Sequence, residues 1–553
     1  MYMENFINNL KKLIIYPKRN KHSFILPEAS CRSDENINSI NNLENAPVYT
    51  NISKNIDYLK VQYNAIINSD IIMREFNIKI FDATYKCLFL GIDGMVDSEL
   101  INNYLLKPLM NLNCKKIKHS SKEKSEISLE DFLYEQLIPQ NSIKKIKNMY
   151  EIIHAVNLGN CALFVDTLDV AFSIDVKGYP SRSITTPNNE VVVRGAQEAF
   201  VEKLRTNTSM LRRIINSENL VIETSTVGKI SKTDVAICYM KNIVNDDLVS
   251  EVKYRINQLS VDYIISSGQL EQLIQDNSNI SAPQMIATER PDKASNHLLE
   301  GRVVILINGS PYSLIVPGVF IDFLSSPEDF NLKHQYANLL RIIRLIAAFI
   351  TLLLPGIYVA ITTYHVELIP TELLFTIASA RNTVPFPVIF EILLMEVSFE
   401  LIREAGLRIP TPVGPTIGII GALILGDAAV KANLVSPILI IIVAITGICS
   451  FSIPDFSLSF TFRIYKFIYI FLGYAFGFFG IAAGLAILCG IFANLKSFGV
   501  YYLSPFAPVI NLKSKISYFL HPIWQREFRA DFLNTKRPVS EEHISMKWKF
   551  GGK

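Results

Sequence analysis

The residues best equipped for chemistry sit where chemistry is expensive. PFPVIFEILLMEVSFELIREAG, from Pro385 to Gly406, is apolar enough to enter a bilayer, yet it carries Glu391, Glu396, Glu400, Arg403 and Glu404. A charge at the bilayer centre costs roughly 3 kcal/mol on insertion scales. With about 100° between successive helical residues, Glu396, Glu400, Arg403 and Glu404 share one face, and Glu391 and Ser398 lie opposite. Glu400 and Arg403 are spaced i,i+3, so one acid can be neutralised within the helix. Lipid tails cannot solvate such a stripe, so it must face protein, water or headgroups. It reads either as an interfacial helix with a snorkelling charged end, or as a protein contact or the wall of a cation path.

The next stretch, TPVGPTIGIIGALILGDAAVKA, is rich in glycine. Close helix packing explains Gly414 and Gly418, and Gly473, Gly477, Gly480 and Gly484 repeat the small-xxx-small spacing. The alternative is a pore-lining or re-entrant segment. In it Ile417, Ile420 and Ile424, with Gly418 and Gly421, would form an apolar constriction that gates by dewetting. Asp427 and Lys431, at i,i+4, read as a neutralised interfacial pair.

Enzymatic signatures are lacking. No phosphate loop, dinucleotide fingerprint, zinc-protease motif or nucleophile elbow occurs, and the eight histidines are dispersed. Asp93 and Asp97 flank a glycine turn, where acids are common. No catalytic group, metal ligand set or cofactor is expected. A net charge of +3 without a basic tract excludes nucleic acid as the main partner. Arg194, Arg205, Arg212 and Arg213 lie on or beside one amphipathic stretch and read as contacts between protomers.

The elements that position these residues fall into two halves. Up to about Leu339 the composition is soluble; from Ile342 to about Leu495 apolar runs dominate. The expected organisation is a disordered or loosely ordered arm (1–54), two small α/β subdomains (55–180 and 181–335), a polytopic helical membrane domain (336–500) and a short cytoplasmic tail (501–553). In the first subdomain, 55–78 has helical spacing, KCLFLGIDG is a buried strand, CALFVD and VAFSIDVKG form a strand pair, and 115–126 is a charged loop. In the second, 193–215 reads as an amphipathic helix, NLVIETSTVG and KTDVAICYM as a hairpin, and Asn308-Gly309 as the turn of another. No repeat is visible.

Seven scattered cysteines suit a reducing compartment, and the first residues lack the pattern of a signal peptide. Lys and Arg near the apolar runs place both ends in the cytoplasm with an even number of crossings. Four with a re-entrant segment, or six with 463–496 folded as a hairpin at Gly477 to Gly480, fit equally.

Several stretches together resemble the A subunit of the GerA family of spore germination receptors. They are NNEVVVRGAQEAFVEKLRTNTSMLRRII, LEGRVVILINGSPYSLIVPGVF, the run from Pro385 through GALILGDAAVKANLVSP, and SFSIPDFSLSFTFRIYKF. The likeness spans about 80 to 535; Ala196-Gln197 and the N-terminal arm depart from it. The resemblance implies a protein of the spore inner membrane working with a transporter-like, nutrient-binding B subunit and a lipoprotein C subunit. It further implies a homo-oligomeric, nutrient-gated cation channel. A non-conducting scaffold and a secondary transporter are the alternatives; the latter predicts paired broken helices, and only one candidate is present.

Overall fold

The computed structural model describes residues 24–28, 46–80, 83–111, 128–140, 142–178, 187, 190, 192, 194–408, 426–508, 519–526 and 528–540. The expected loop at 115–126, most of the expected arm, and residues 509–518, 527 and 541–553 of the expected tail lie outside these residues.

Helix α1 (Ile52–Gln62) starts at Asn51, whose side chain accepts from the Ser53 N–H, and buries Ile52, Ile56 and Leu59. It does not continue to residue 78 as its periodicity suggested. Asn64 takes a positive φ of 49°, and Ile71–Ile80, rich in β-branched residues, instead forms strand β1. β1 pairs antiparallel with β2 (Ala83–Ile92), from Ile71 opposite Ile92 to Ile80 opposite Ala83.

With β3 (Ile143–Ile146), β4 (Cys161–Val165) and β5 (Ala171–Ile174) they make an antiparallel sheet of order β1-β2-β4-β5-β3. Side chains alternate between its faces. Leu88 and Leu90 meet α1 and helix α2 (Met149–Asn157), while Cys87 and Phe89 meet the helical segments around Leu105 and Phe132.

A second sheet follows the same path. β6 (Leu220–Val227), β7 (Thr233–Met240), β8 (Ile286–Thr288), β9 (Val303–Ile307) and β10 (Ser313–Val316) are ordered β6-β7-β9-β10-β8, again antiparallel throughout. The duplication invisible in the sequence is therefore present in the topology. Gly309 adopts φ 88° between β9 and β10, as the Asn308-Gly309 turn requires.

One face of this sheet packs helices α4 (Asp246–Asn257) and α5 (Ser267–Ile274). The other packs helices α3 (Leu204–Ile214) and α6 (Pro291–Leu299). α3 is shorter than its sequence suggested. Gly195 has φ 151°, the Phe200 N–H donates to the Glu289 carbonyl, and Asn207 clamps both backbone groups of Val201, so the chain before Leu204 is not helical. Within the expected arm, residues 24–28 pack on the second unit: Leu26 joins the α4–α5 face, and Asn534 donates to its carbonyl at 3.2 Å.

The C-terminal part is helical: α7 (His334–Tyr364), α8 (Thr371–Arg381), α9 (Val388–Arg408), α10 (Pro437–Phe451) and α11 (Phe456–Asn494). α7 and α11 are long and apolar enough to cross a membrane by length and composition. They meet backbone to backbone: a Cβ at Gly473 would lie 2.5 Å from the Gly356 carbonyl oxygen.

A straight helix of 39 residues would run about 58 Å, but α11 is broken at Gly477, whose φ and ψ are 60° and −141°. A Cβ at Gly480 would fall 2.4 Å from the Leu472 carbonyl oxygen, so the chain doubles back. Phe320 confirms it, with its ring 6.5 Å from Phe462 and 6.1 Å from Phe492, near opposite ends of the run. Of the two foldings left open for this run, the structure has the hairpin.

Candidate functional site

α9 carries its acids at 396 and 400, one turn apart, and α11 carries cations at 463 and 466, three residues apart. Both spacings put the paired groups on one helix face. The two faces meet. Lys466 Nζ lies 2.5 Å from Glu396 and 3.1 Å from Glu400, and Glu400 also accepts from the Arg463 guanidinium. Arg403 sits 3.8 Å from Glu400, donates to Ser450 Oγ of α10 at 2.7 Å, and stacks between Phe399 and Phe451. Lys466 and Glu396 are 2% and 1% exposed.

Three cations face two carboxylates, so in one chain this is a lock between three helices and not a bare acidic wall. Removing one partner from such a buried pair strands the other charge, at a cost of about 3–5 kcal/mol.

Glu391 is buried on the opposite side of α9. It accepts from the Ser436 N–H at 3.1 Å at the N-terminus of α10, where a carboxylate complements the helix dipole, and Arg381 of α8 lies 3.9 Å away. Glu404 is exposed. Asp427 and Lys431 form an exposed pair at 2.6 Å. The gate candidates Ile417, Gly418, Ile420, Gly421 and Ile424 lie outside the described residues.

The arginines near α3 divide. Arg212, 2% exposed, grips Asp70 through two hydrogen bonds of 2.8 and 2.9 Å and also reaches Asn68. It joins the two sheet units inside the chain, which leaves it unavailable as a contact between protomers. Asn68 and Ser69 extend this seam along β6, bonding the Leu220 and Ile222 carbonyls. Arg205 pairs with Asp93 across the same seam, Arg213 with Glu198, and Arg194 is exposed. Asp97 caps a short helix, accepting from the Glu99 N–H at 2.8 Å. Among the described residues no group of three or more His, Cys, Asp or Glu is placed to hold a metal.

The acids of α9 are legible in the sequence, but Lys466 and Arg463 as their partners are not, because cations near the start of an apolar run also serve to orient it. The available signal was two cations at i,i+3 in an apolar run, matching two acids at i,i+4 in another.

A two-sheet α/β region followed by an apolar helical region, whose helices are held to one another by an ion-pair lock, defines the class of architecture. The family model for the Bacillus/Clostridium GerA spore germination protein matches residues 57–532. Spore germination protein KA of Bacillus subtilis (strain 168) is 37% identical over 89% of this chain and 88% of its own length. Spore germination protein GerLA of Bacillus cereus is 34% identical over 85% of this chain and 93% of its own. Another Bacillus subtilis (strain 168) relative, at 35% over 88% of this chain and 92% of its own, is the uncharacterized membrane protein YfkQ.

The crystal structure of the N-terminal domain of the A subunit of the Bacillus megaterium spore germinant receptor GerK3 aligns with a TM-score of 0.37. It is 29% identical, covering 50% of this chain and 98% of that one. The chain belongs to the GerA family of spore germination proteins.

Proposed function

We propose that this chain is the A subunit of a nutrient-responsive germination receptor in the spore inner membrane. In this reading its helical part is polytopic, both ends are cytoplasmic, and copies of the chain assemble around a cation path. A transporter-like B subunit would bind the nutrient, and a lipoprotein C subunit would complete the receptor. The chain itself would catalyse no reaction.

The observation that carries this reading is the lock of Glu396 and Glu400 on Lys466, Arg463 and Arg403. Burying Lys466 and Glu396, with Glu400, Arg403 and Arg463 half-buried around them, fixes the register of α9, which leads directly into the glycine-rich segment 409–425 where the gate candidates lie. Receptor reconstituted in liposomes should release potassium on addition of nutrient, and Ile420→Ala or Ile424→Ala should leak without it. If neither the receptor nor the variants conduct, the channel role fails.

A non-conducting scaffold is the second reading. Its support is that the lock spends Glu396 and Glu400 on cations of the same chain, leaving no acidic ring at those positions. A scaffold predicts zero flux with subunit assembly intact.

A further inference from the structure

A cavity of about 550 Å³ opens between the second sheet unit, the first turns of α7 and the chain after residue 519. Arg302, Arg341, Arg526 and Arg529 line it, together with two acids, Glu300 and Asp322. Arg302 is held by Asp322 at 2.5 and 3.0 Å, and Arg341 by the buried Asp329 at 3.0 Å, which Arg344 shares. Among the described residues three carboxylates thus face five guanidinium groups, an excess of two positive charges.

The surplus has an address. Among the described residues no carboxylate lies within ion-pairing distance of Arg526 or Arg529. Arg526 donates only through Nε, to the His521 carbonyl, while its guanidinium lies over the Phe330 ring at 5.7 Å. Arg529 spends its donors on the Leu299, Arg537 and Val539 carbonyls. Arg302 is 2% exposed and already paired: Asp322 holds two of its nitrogens, and Glu300 lies 3.9 Å from its Nε. Burial, and then neighbouring arginines, hold the Arg526 and Arg529 guanidinium groups below the usual arginine value, with Glu300 acting in the opposite direction on both.

The surroundings say where the anion would come from. Directly after Arg341, α7 exposes Ile342, Ile343, Ile346 and Phe349. Phe519 and Ile523 at the cavity are exposed as well, and Trp524 meets His334 edge-on at 6.3 Å. Aromatic and cationic side chains at the foot of an apolar helix mark headgroup depth.

We propose that this cavity binds a phosphate-bearing ligand, held by Arg526 and supplied as the headgroup of an anionic phospholipid. Planar guanidinium groups match phosphate oxygens in geometry and charge. The lipid source rests on the membrane placement proposed above; the phosphate site does not.

The test uses the full chain in detergent micelles, with native mass spectrometry of retained phosphatidylglycerol and phosphatidylcholine. Thermal shifts with inorganic phosphate and glycerol 3-phosphate form the soluble arm. Phosphatidylglycerol should be retained preferentially, Arg526→Gln or Ser540→Glu should each lower that retention about fivefold, and Arg526→Lys should fall between the wild type and Arg526→Gln. Ser540 lines the cavity from an exposed position, so its variant tests the site without disturbing the core.

A soluble probe that stabilises the wild type but not Ser540→Glu would support the site and reassign its source. Equal retention of both lipids with no soluble effect, or wild-type behaviour of both variants, overturns the proposal. Release of the chain from membranes by alkaline carbonate would instead sink the membrane placement, leaving the soluble arm to decide the site.

Discussion

β1–β5 and β6–β10 are threaded alike, but their helical faces meet different neighbours. Both faces of the first sheet close on helical segments of its own unit. The α3–α6 face of the second opens into a cluster that continues through Tyr502, Phe462 and Phe492 to Ala348 and Leu352 of α7. One topology therefore serves two mechanical roles. The second unit is welded to the apolar helices, and the first hangs from the second along the seam of Asp70 and Arg212. A signal passing between the first unit and the helices would have to cross both joints.

The seam should fail most visibly. Arg212→Met leaves Asp70, 2% exposed, buried without its cation, at a cost of about 3–5 kcal/mol. Limited proteolysis should then release the first unit while the second stays with the helices. If both units unfold together, they are one cooperative body and the contrast is wrong. The weld should break next. Tyr502→Ala removes a fully buried ring that packs on Phe320, Phe323 and Phe492, costing about 3 kcal/mol. Hydrogen exchange should rise in the second unit and at the ends of α7 and α11, leaving the first sheet protected.

A pH-dependent effect at the same junction should be smaller. Burial, reinforced by Asp455 at the start of α11, pushes the Glu271 carboxyl of α5 up to about 7. The folded chain then holds this proton more tightly than the unfolded chain. Its contribution is present in full below about pH 4.5 and is lost as pH rises through about 7. Glu271→Gln should flatten the pH dependence of the melting temperature across that window. An unchanged slope would place the titration elsewhere.

What could be read from the chain alone follows the range of the interactions. The β6–β7 and β9–β10 hairpins were legible because alternation and the Asn308-Gly309 turn are local. The end of α1 at Gln62 was not, since helical spacing ran on past Asn64 and only pairing with β2 decides that 71–80 is a strand. The shared strand order was hidden because topology is set by which strands meet, and the two units keep little side-chain likeness. In the helical part the cost of the α9 acids was plain, but their partners lie more than sixty residues away on α11. The break at Gly477 was visible only as an excess of length, and it took the contacts of Gly480 and Phe320 to show the reversal.

Arg205→Ala gives the finest test of the seam. Arg205 and Arg212 sit on the same helix and both reach acids of the first unit, Asp93 and Asp70. Their environments differ: Arg205 and Asp93 are 41% and 37% exposed, whereas Arg212 and Asp70 are 2% each. Water and salt screen the exposed pair, and holding two long side chains in place offsets most of its attraction, so its loss should cost under about 1 kcal/mol. The buried pair cannot be screened, and its surviving partner cannot be solvated. Chemical denaturation at low and high salt should therefore show a small, salt-sensitive effect for Arg205→Ala and a large, salt-insensitive one for Arg212→Met. Equal effects would mean that the seam is held by charge count alone, and that the burial separating the two arginines carries no weight in joining the units.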